Sequence, residues 1–319
     1  MIPFFQGAAS GAPAPGTVFA ATLWTGNDAI RTITSGIDAD FAWIKRRSNI
    51  SNQCLHDTLR PATSRLVSNG TGAESTVADG LQSFTSTGFT LGPDSAVNGN
   101  PDTYVGWSFA RAARFFDVVT YTGDGTSNRQ ISHALGISPG MVVVKPRNNS
   151  GTGYDGWYVR HRSATGTLYL NLTNAQEGSF STIPAVSAST FTVTGDCNEN
   201  GETYVAYLWA HDTASDGIVQ CGSYTGDGGA GTTNITLGWK PQFILVKNST
   251  GSADNWALLD TARGLTTGAG DLRLIPNASN AESSAADYLD LTSTGFKTTT
   301  STNVNISSNT YVYLAIREA

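Results

Sequence analysis

Tyr121-Thr122-Gly123-Asp124-Gly125 occurs again as Tyr224-Thr225-Gly226-Asp227-Gly228, 103 residues later, and in degenerate form as Trp24-Thr25-Gly26-Asn27, 97 residues earlier. A second marker keeps the same beat: Thr103-Tyr104-Val105, Thr203-Tyr204-Val205 and Thr310-Tyr311-Val312 are 100 and 107 residues apart. A period near 100 residues exceeds the ~20–50-residue unit of solenoids and propellers and matches a small domain. The chain is therefore expected to use one domain three times, over residues 17–112, 113–212 and 213–319, behind an N-terminal arm of residues 1–16.

Between the markers the pattern is that of strands. Val18 to Trp24 reads as a strand, Thr25 to Asp28 as its turn, and Ile30-Arg31-Thr32-Ile33 as the return. Phe41-Ala42-Trp43-Ile44-Lys45, Met141-Val142-Val143-Val144-Lys145 and Phe243-Ile244-Leu245-Val246-Lys247 are near-continuous apolar runs, each closed by a lysine. Such runs predict a central strand covered on both faces. The closing strands alternate, with Val105, Trp107 and Phe109, then Val205, Tyr207 and Trp209, then Val312, Leu314 and Ile316 on the expected core side. Small residues such as Gly106, Ser108, Ala206 and Ala315 occupy the other side. No window carries a 3.6-residue apolar stripe, so little helix is expected. The fold class is all-β: three tandem jelly-roll-like β-sandwiches joined by short linkers near Arg111–Arg114 and His211–Gly217.

Composition agrees with that class and narrows the partners. Charged residues make up 14 % of the 319, below the ~25 % of an average globular protein. The net charge of −6 argues against nucleic acid as a partner. No apolar run is long enough for a transmembrane helix, and the N-terminus lacks the basic and apolar regions of a signal peptide, so no membrane insertion is expected. Cys54, Cys197 and Cys221 are odd in number and sit at non-equivalent repeat positions, which reads as free structural thiols.

The candidate chemical sites each have a plainer structural reading. Gly226-Asp227-Gly228-Gly229-Ala230-Gly231 has dinucleotide-type glycine spacing, but a strand-like stretch follows it where a helix is needed, so a hairpin turn is expected and no cofactor. Asp124 and Asp227 stand alone in their turns, whereas calcium takes six to eight oxygens, so no metal is expected. Glu74, Glu177 and Glu282 each follow an asparagine (Asn69, Asn171, Asn277) and supply one carboxylate per repeat, not the pair that glycoside hydrolysis requires. His56-Asp57 resembles part of a catalytic triad, but Asp57-x-x-Arg60 recurs as Asp260-x-x-Arg263, which reads as an ion pair bracing a turn. His133, His161 and His211 show no metal-ligand spacing. No catalytic residue is assigned, and the protein is expected not to be an enzyme. Tyr154 and Trp157, in Gly153–Trp157, are the candidate surface loop for stacking on a host glycan. Ile2, Phe4 and Phe5 precede a Gly/Ala/Pro tether and read as an assembly anchor.

The repeats resemble a domain found in tandem in virion proteins of tailed bacteriophages, described as tail-fibre or structural proteins of marine and cyanobacterial phages. The resemblance covers residues 17 to 319. It is carried by Tyr121–Gly125, by Leu135-Gly136-Ile137-Ser138-Pro139 leading into Val142–Lys145, by Leu168-Tyr169-Leu170-Asn171-Leu172-Thr173-Asn174-Ala175 and by Thr203–Tyr207. In the first repeat Phe41–Arg47 and Ser86–Leu91 carry it. It implies a structural protein of the virion surface, made in the host cytoplasm and acting at the tail in assembly and attachment. Its partners would be other virion proteins and further copies of itself. A capsid decoration protein or head fibre, and a carbohydrate-binding module, are the alternatives.

Overall fold

The computed structural model describes residues 11–148, 156–251, 253–268, 270–284, 286–300 and 302–319. The chain is built from antiparallel sheets, with two four-residue helices and two short 3-10 turns among the described residues. The same order recurs three times. In the larger sheet of the first repeat the opening strand Phe19–Thr25 pairs with the closing strand Thr103–Phe109, which pairs with Phe41–Arg46 and then Gln53–Asp57. The second repeat orders Phe116–Thr122, Thr203–Ala210, Pro139–Pro146 and Tyr158–His161 in the same way. The third orders Val219–Thr225, Thr310–Arg317, Pro241–Asn248 and Ala257–Asp260. A smaller sheet accompanies each, formed around the pairs Arg31–Thr34 with Gly88–Leu91, Arg129–Ser132 with Thr190–Val193, and Asn234–Thr236 with Gly295–Thr298.

The two sequence markers meet in this ladder. Trp24 lies opposite Tyr104, Tyr121 opposite Tyr204 and Tyr224 opposite Tyr311. Each pair stacks at 4.9–5.6 Å between ring centroids, within about 11° of parallel. The glycine of the following turn is obligatory. A Cβ on Gly26, Gly123 or Gly226 would come within 2.1–2.3 Å of a backbone carbonyl oxygen of the facing loop. Those loops supply Asn98, Asn198 and Asn305, whose amide nitrogens donate to Asn27 (3.1 Å), Asp124 (2.7 Å) and Asp227 (2.6 Å). The recurrent Asp thus closes a turn. Hydrogen bonds from Thr126 hold the Asp124 carboxyl at about 2.

Both faces of the larger sheets are buried, and they face different things. The face with Ala42, Ile44 and Tyr104 packs on the smaller sheet of its own repeat, around Ile33, Leu81, Phe89 and Leu91. The third repeat repeats this around Ile235, Leu289 and Phe296. The opposite face points at the other repeats. Phe41, Trp107 and Phe109, Val205, Tyr207 and Trp209, and Phe243, Leu314 and Ile316 all belong to one continuous core. Phe109 sits at its centre, with Phe19, Phe41, Phe116, Trp209 and Phe243 at 5.0–6.1 Å between centroids. The residues expected to line the core of a single sandwich therefore line a core shared by three. The small residues Gly106, Ala206 and Ala315 admit the rings of the local core; Gly106 lies against Trp24 and Phe89.

Candidate functional site

The side chains that carry charge or hydrogen-bonding chemistry converge where one repeat meets the next. Three equivalent junctions close a ring. At the end of each central strand the buried lysine donates across a junction: Lys45 Nζ to Ser279 O (3.1 Å), Lys145 Nζ to Thr71 O (3.2 Å) and Lys247 Nζ to Thr173 O (2.7 Å). The third repeat thus serves the first, the first the second, and the second the third. Gln53, Trp157 and Trp256 stand four residues before Asp57, His161 and Asp260 and follow the same rotation. Gln53 Nε2 donates to Ile275 O (2.9 Å), Trp157 Nε1 to Val67 O (3.0 Å) and Gly70 O (3.1 Å), and Trp256 Nε1 to Tyr169 O (2.9 Å). The recurrent asparagines shape the carbonyl-bearing loops: Asn69, Asn171 and Asn277 accept from the backbone N–H of Gln53, Trp157 and Trp256 at 2.8–3.0 Å.

Two junctions contain buried ion networks. Between the first and second repeats, Asp57 Oδ2 accepts from Arg60 Nε (2.7 Å) and from Tyr207 Oη (2.9 Å). Arg60 reaches Glu74 (2.8 Å), and Glu74 also receives Arg147 at 2.9 and 3.0 Å. Between the third and first repeats the same parts recur. Asp260 accepts from Arg263 (2.6 Å) and Trp107 Nε1 (2.9 Å), and Glu282 accepts from Arg263 (3.0 Å) and from Arg47 at 2.7–3.1 Å. The Asp–Arg pairs are fully buried, so each charge depends on its partner. The remaining junction has uncharged residues in place of this network: His161, Ala164, Gln176 and Ser249 stand where the others have Asp, Arg, Glu and Arg. The backbone identifies Gln176 as the counterpart, since Glu74, Gln176 and Glu282 donate their N–H groups to Arg147 O, Ser249 O and Arg47 O. Glu177 is one position out and bonds Asn174 at the surface. Leu314 replaces Trp107 and Tyr207 at that junction and has no hydrogen to offer an aspartate; His161 bonds Tyr313 O there instead (3.0 Å).

This chemistry locks surfaces together. His56 bonds Ala62 O through Nδ1 (3.0 Å) while Asp57 is engaged by Arg60, so the two do not form part of a triad. Burial alone would raise the Glu74 pKa, but the hydrogen bonds from Arg147 and Arg60 outweigh it and hold the carboxyl at about 2. A general acid needs the opposite shift. No group of three or more His, Cys, Asp or Glu among the described residues could hold a metal ion, and Cys54, Cys197 and Cys221 are free and buried.

A family model described as a domain of unknown function, DUF7483, matches residues 14–319. The chain belongs to this family. No curated protein matches it. The matched residues span all three repeats.

Two other expectations meet the DUF7483 structure here. Trp157 is 0 % exposed, in the shared core, with its indole N–H spent on the first repeat. It cannot present a face to a sugar, which corrects its assignment to a surface loop; Tyr154 lies outside the described residues. Ile2, Phe4 and Phe5 also lie outside them, but the base of the arm does not. Ala12 N donates to Asp216 Oδ2 (2.8 Å), and Arg114 clamps Asp216 (2.8 Å) and Asp212 (2.7 Å). The base borders a groove of about 520 Å³ lined by Pro13, Pro15, Ile218, Arg317 and Ala319. Residues 11–16 are thus fixed to the linker between the second and third repeats.

The Glu74 network gives a pH dependence of defined sign. Its folded pKa lies below its ordinary value of 4.5. The stabilisation is therefore present above about 4.5 and lost as pH falls toward 2. The urea midpoint of Glu74→Gln is expected below wild type at pH 7, with the gap closing between pH 4.5 and pH 2.5. A gap independent of pH would show that the charge on Glu74 contributes nothing.

Proposed function

We propose that this chain is a non-enzymatic structural protein of a tailed-phage particle, placed at the tail and contributing to host attachment through protein–protein assembly. Three repeats locked by equivalent junctions into one closed body carry this reading. The Glu and Asp side chains that would serve catalysis brace those junctions, and the arm is clamped at its base to the body. The resemblance of Tyr121–Gly125 and the strands after it to tandem phage virion domains supplies the setting. Burial of Trp157 weighs against a glycan-binding module. The partners are other virion proteins, engaged by Met1–Gly16, and further copies of the chain.

The first test is mass spectrometry of density-banded particles from a culture producing the chain, with antibody labelling in the electron microscope. The protein is expected in the particle band, with label at the tail. Recovery only from the soluble fraction would overturn the proposal, and label on the head would move the site. The arm is tested by a chain starting at Gly11, which keeps the Ala12–Asp216 clamp. It is expected to unfold at the wild-type urea midpoint and to be missing from particles. Normal incorporation would rule out Ile2, Phe4 and Phe5 as the anchor.

A further inference from the structure

We propose that acid opens the ring at the junction between the second and third repeats while the other two junctions hold, through protonation of His161 and His211. The hydrogen bonds require both imidazoles to be neutral. His161, 1 % exposed, accepts from Ser163 N at Nδ1 (3.2 Å) and donates from Nε2 to Tyr313 O of the third repeat (3.0 Å). His211 accepts at Nδ1 from Cys221 N, also of the third repeat (3.2 Å). A proton on either Nδ1 turns the acceptor into a donor facing another N–H group, and the bond is lost.

At His161 the neighbouring charge among the described residues is a cation, which opposes a second positive charge. Arg162, in the turn directly after His161, already donates to Cys221 O (3.4 Å). From the third repeat the facing groups are Cys221 and Tyr313, both uncharged in acid. Asp212 lies beside His211 but is held by Arg114 at 2.7 Å. At the far end of the junction the charged group is Lys247, donating to Thr173 O and Asp254 O. The junction is closely packed beside His211: a Cβ on Gly140 would lie 2.7 Å from Cys221 Cβ and 2.9 Å from His211 Cβ. Burial holds His161 and His211 at about 4, the latter with help from Arg162, whereas Glu74 at a charged junction stays ionised to about 2. His56, buried within the first repeat beside Arg60 and Arg65, protonates later, at about 3.

The test uses the full chain. Hydrogen exchange read by mass spectrometry at pH 3.5, corrected for intrinsic rates, is expected to show Val219–Thr225 and Thr310–Arg317 exchanging at least about tenfold faster than Phe41–Arg46. Dye binding to exposed apolar surface should rise over the same range. In His161→Gln combined with His211→Asn, which keep a donor and an acceptor but cannot titrate, that rise is expected at a pH lower by about one unit. Uniform loss of protection over all three repeats, or an unshifted rise in the double variant, would overturn the proposal. Should the double variant fail to fold, nitrogen-resolved NMR of the wild-type imidazoles decides: titration of His161 near its ordinary value of 6.5, with the strands still protected, also overturns it.

Discussion

Arg60→Met is expected to lower the stability of the whole chain by about 3–5 kcal/mol, because it leaves buried acidic charge without its partner. The guanidinium donates to Asp57, to Glu74, to Leu55 O and to Tyr207 Oη. Methionine fills most of the volume and supplies none of these bonds. Arg147 still neutralises Glu74, but Asp57, with a fully buried side chain, keeps only the Tyr207 hydroxyl and two backbone N–H groups. The second repeat already contains a neutral solution at these positions, His161 with Ala164. Asp57→His combined with Arg60→Ala should therefore recover a substantial part of the loss, a non-additivity expected of residues in one network. Urea denaturation at pH 7 checks both. A loss under about 1 kcal/mol for the single change, the range of an exposed pair, would mean that the junction is not sealed from water.

Phe109→Ala is expected to cost about 3–5 kcal/mol, the range for emptying a buried aromatic site, and to destabilise all three repeats together. Phe109 is completely buried and meets rings from every repeat, so the cavity opens into the shared core. Chains above about 150 residues commonly unfold through intermediates, domain by domain. Here a common core predicts one cooperative transition, with near- and far-ultraviolet circular dichroism coincident in wild type and variant. A variant in which the first repeat melts alone while the others keep the wild-type midpoint would show that the three cores are energetically separate.

The repeat was legible in the amino-acid letters alone. A turn in which any Cβ would lie 2.1–2.3 Å from a facing carbonyl oxygen admits only glycine, and the stacked pairs opposite it require large planar rings. These local demands return once per repeat and so are visible as letters. The central strands were legible for a similar reason: cover on both faces removes the alternation and leaves a continuous apolar run. The Asp57–Arg60 and Asp260–Arg263 pairs were legible because both members lie within one turn.

What the outer faces of the larger sheets pack against was not legible in the letters. Val105, Trp107 and Phe109 alternate as any buried sheet face does, and alternation carries no label for whose core it is. Glu74 and Arg147, or Arg47 and Glu282, are far apart in the chain and meet only when the ring closes. Glu177 misled because identity at a roughly repeating interval is not register: the residue five places after the recurrent asparagine is Glu74, Gln176 and Glu282, so the glutamate next to Gln176 lies one position out. Trp157 misled because a glycine-rich, polar stretch suggests an exposed loop, whereas its indole enters the neighbouring repeat. A single repeat's sequence encodes the shape of its own surface, but burial of that surface depends on another part of the chain packing against it.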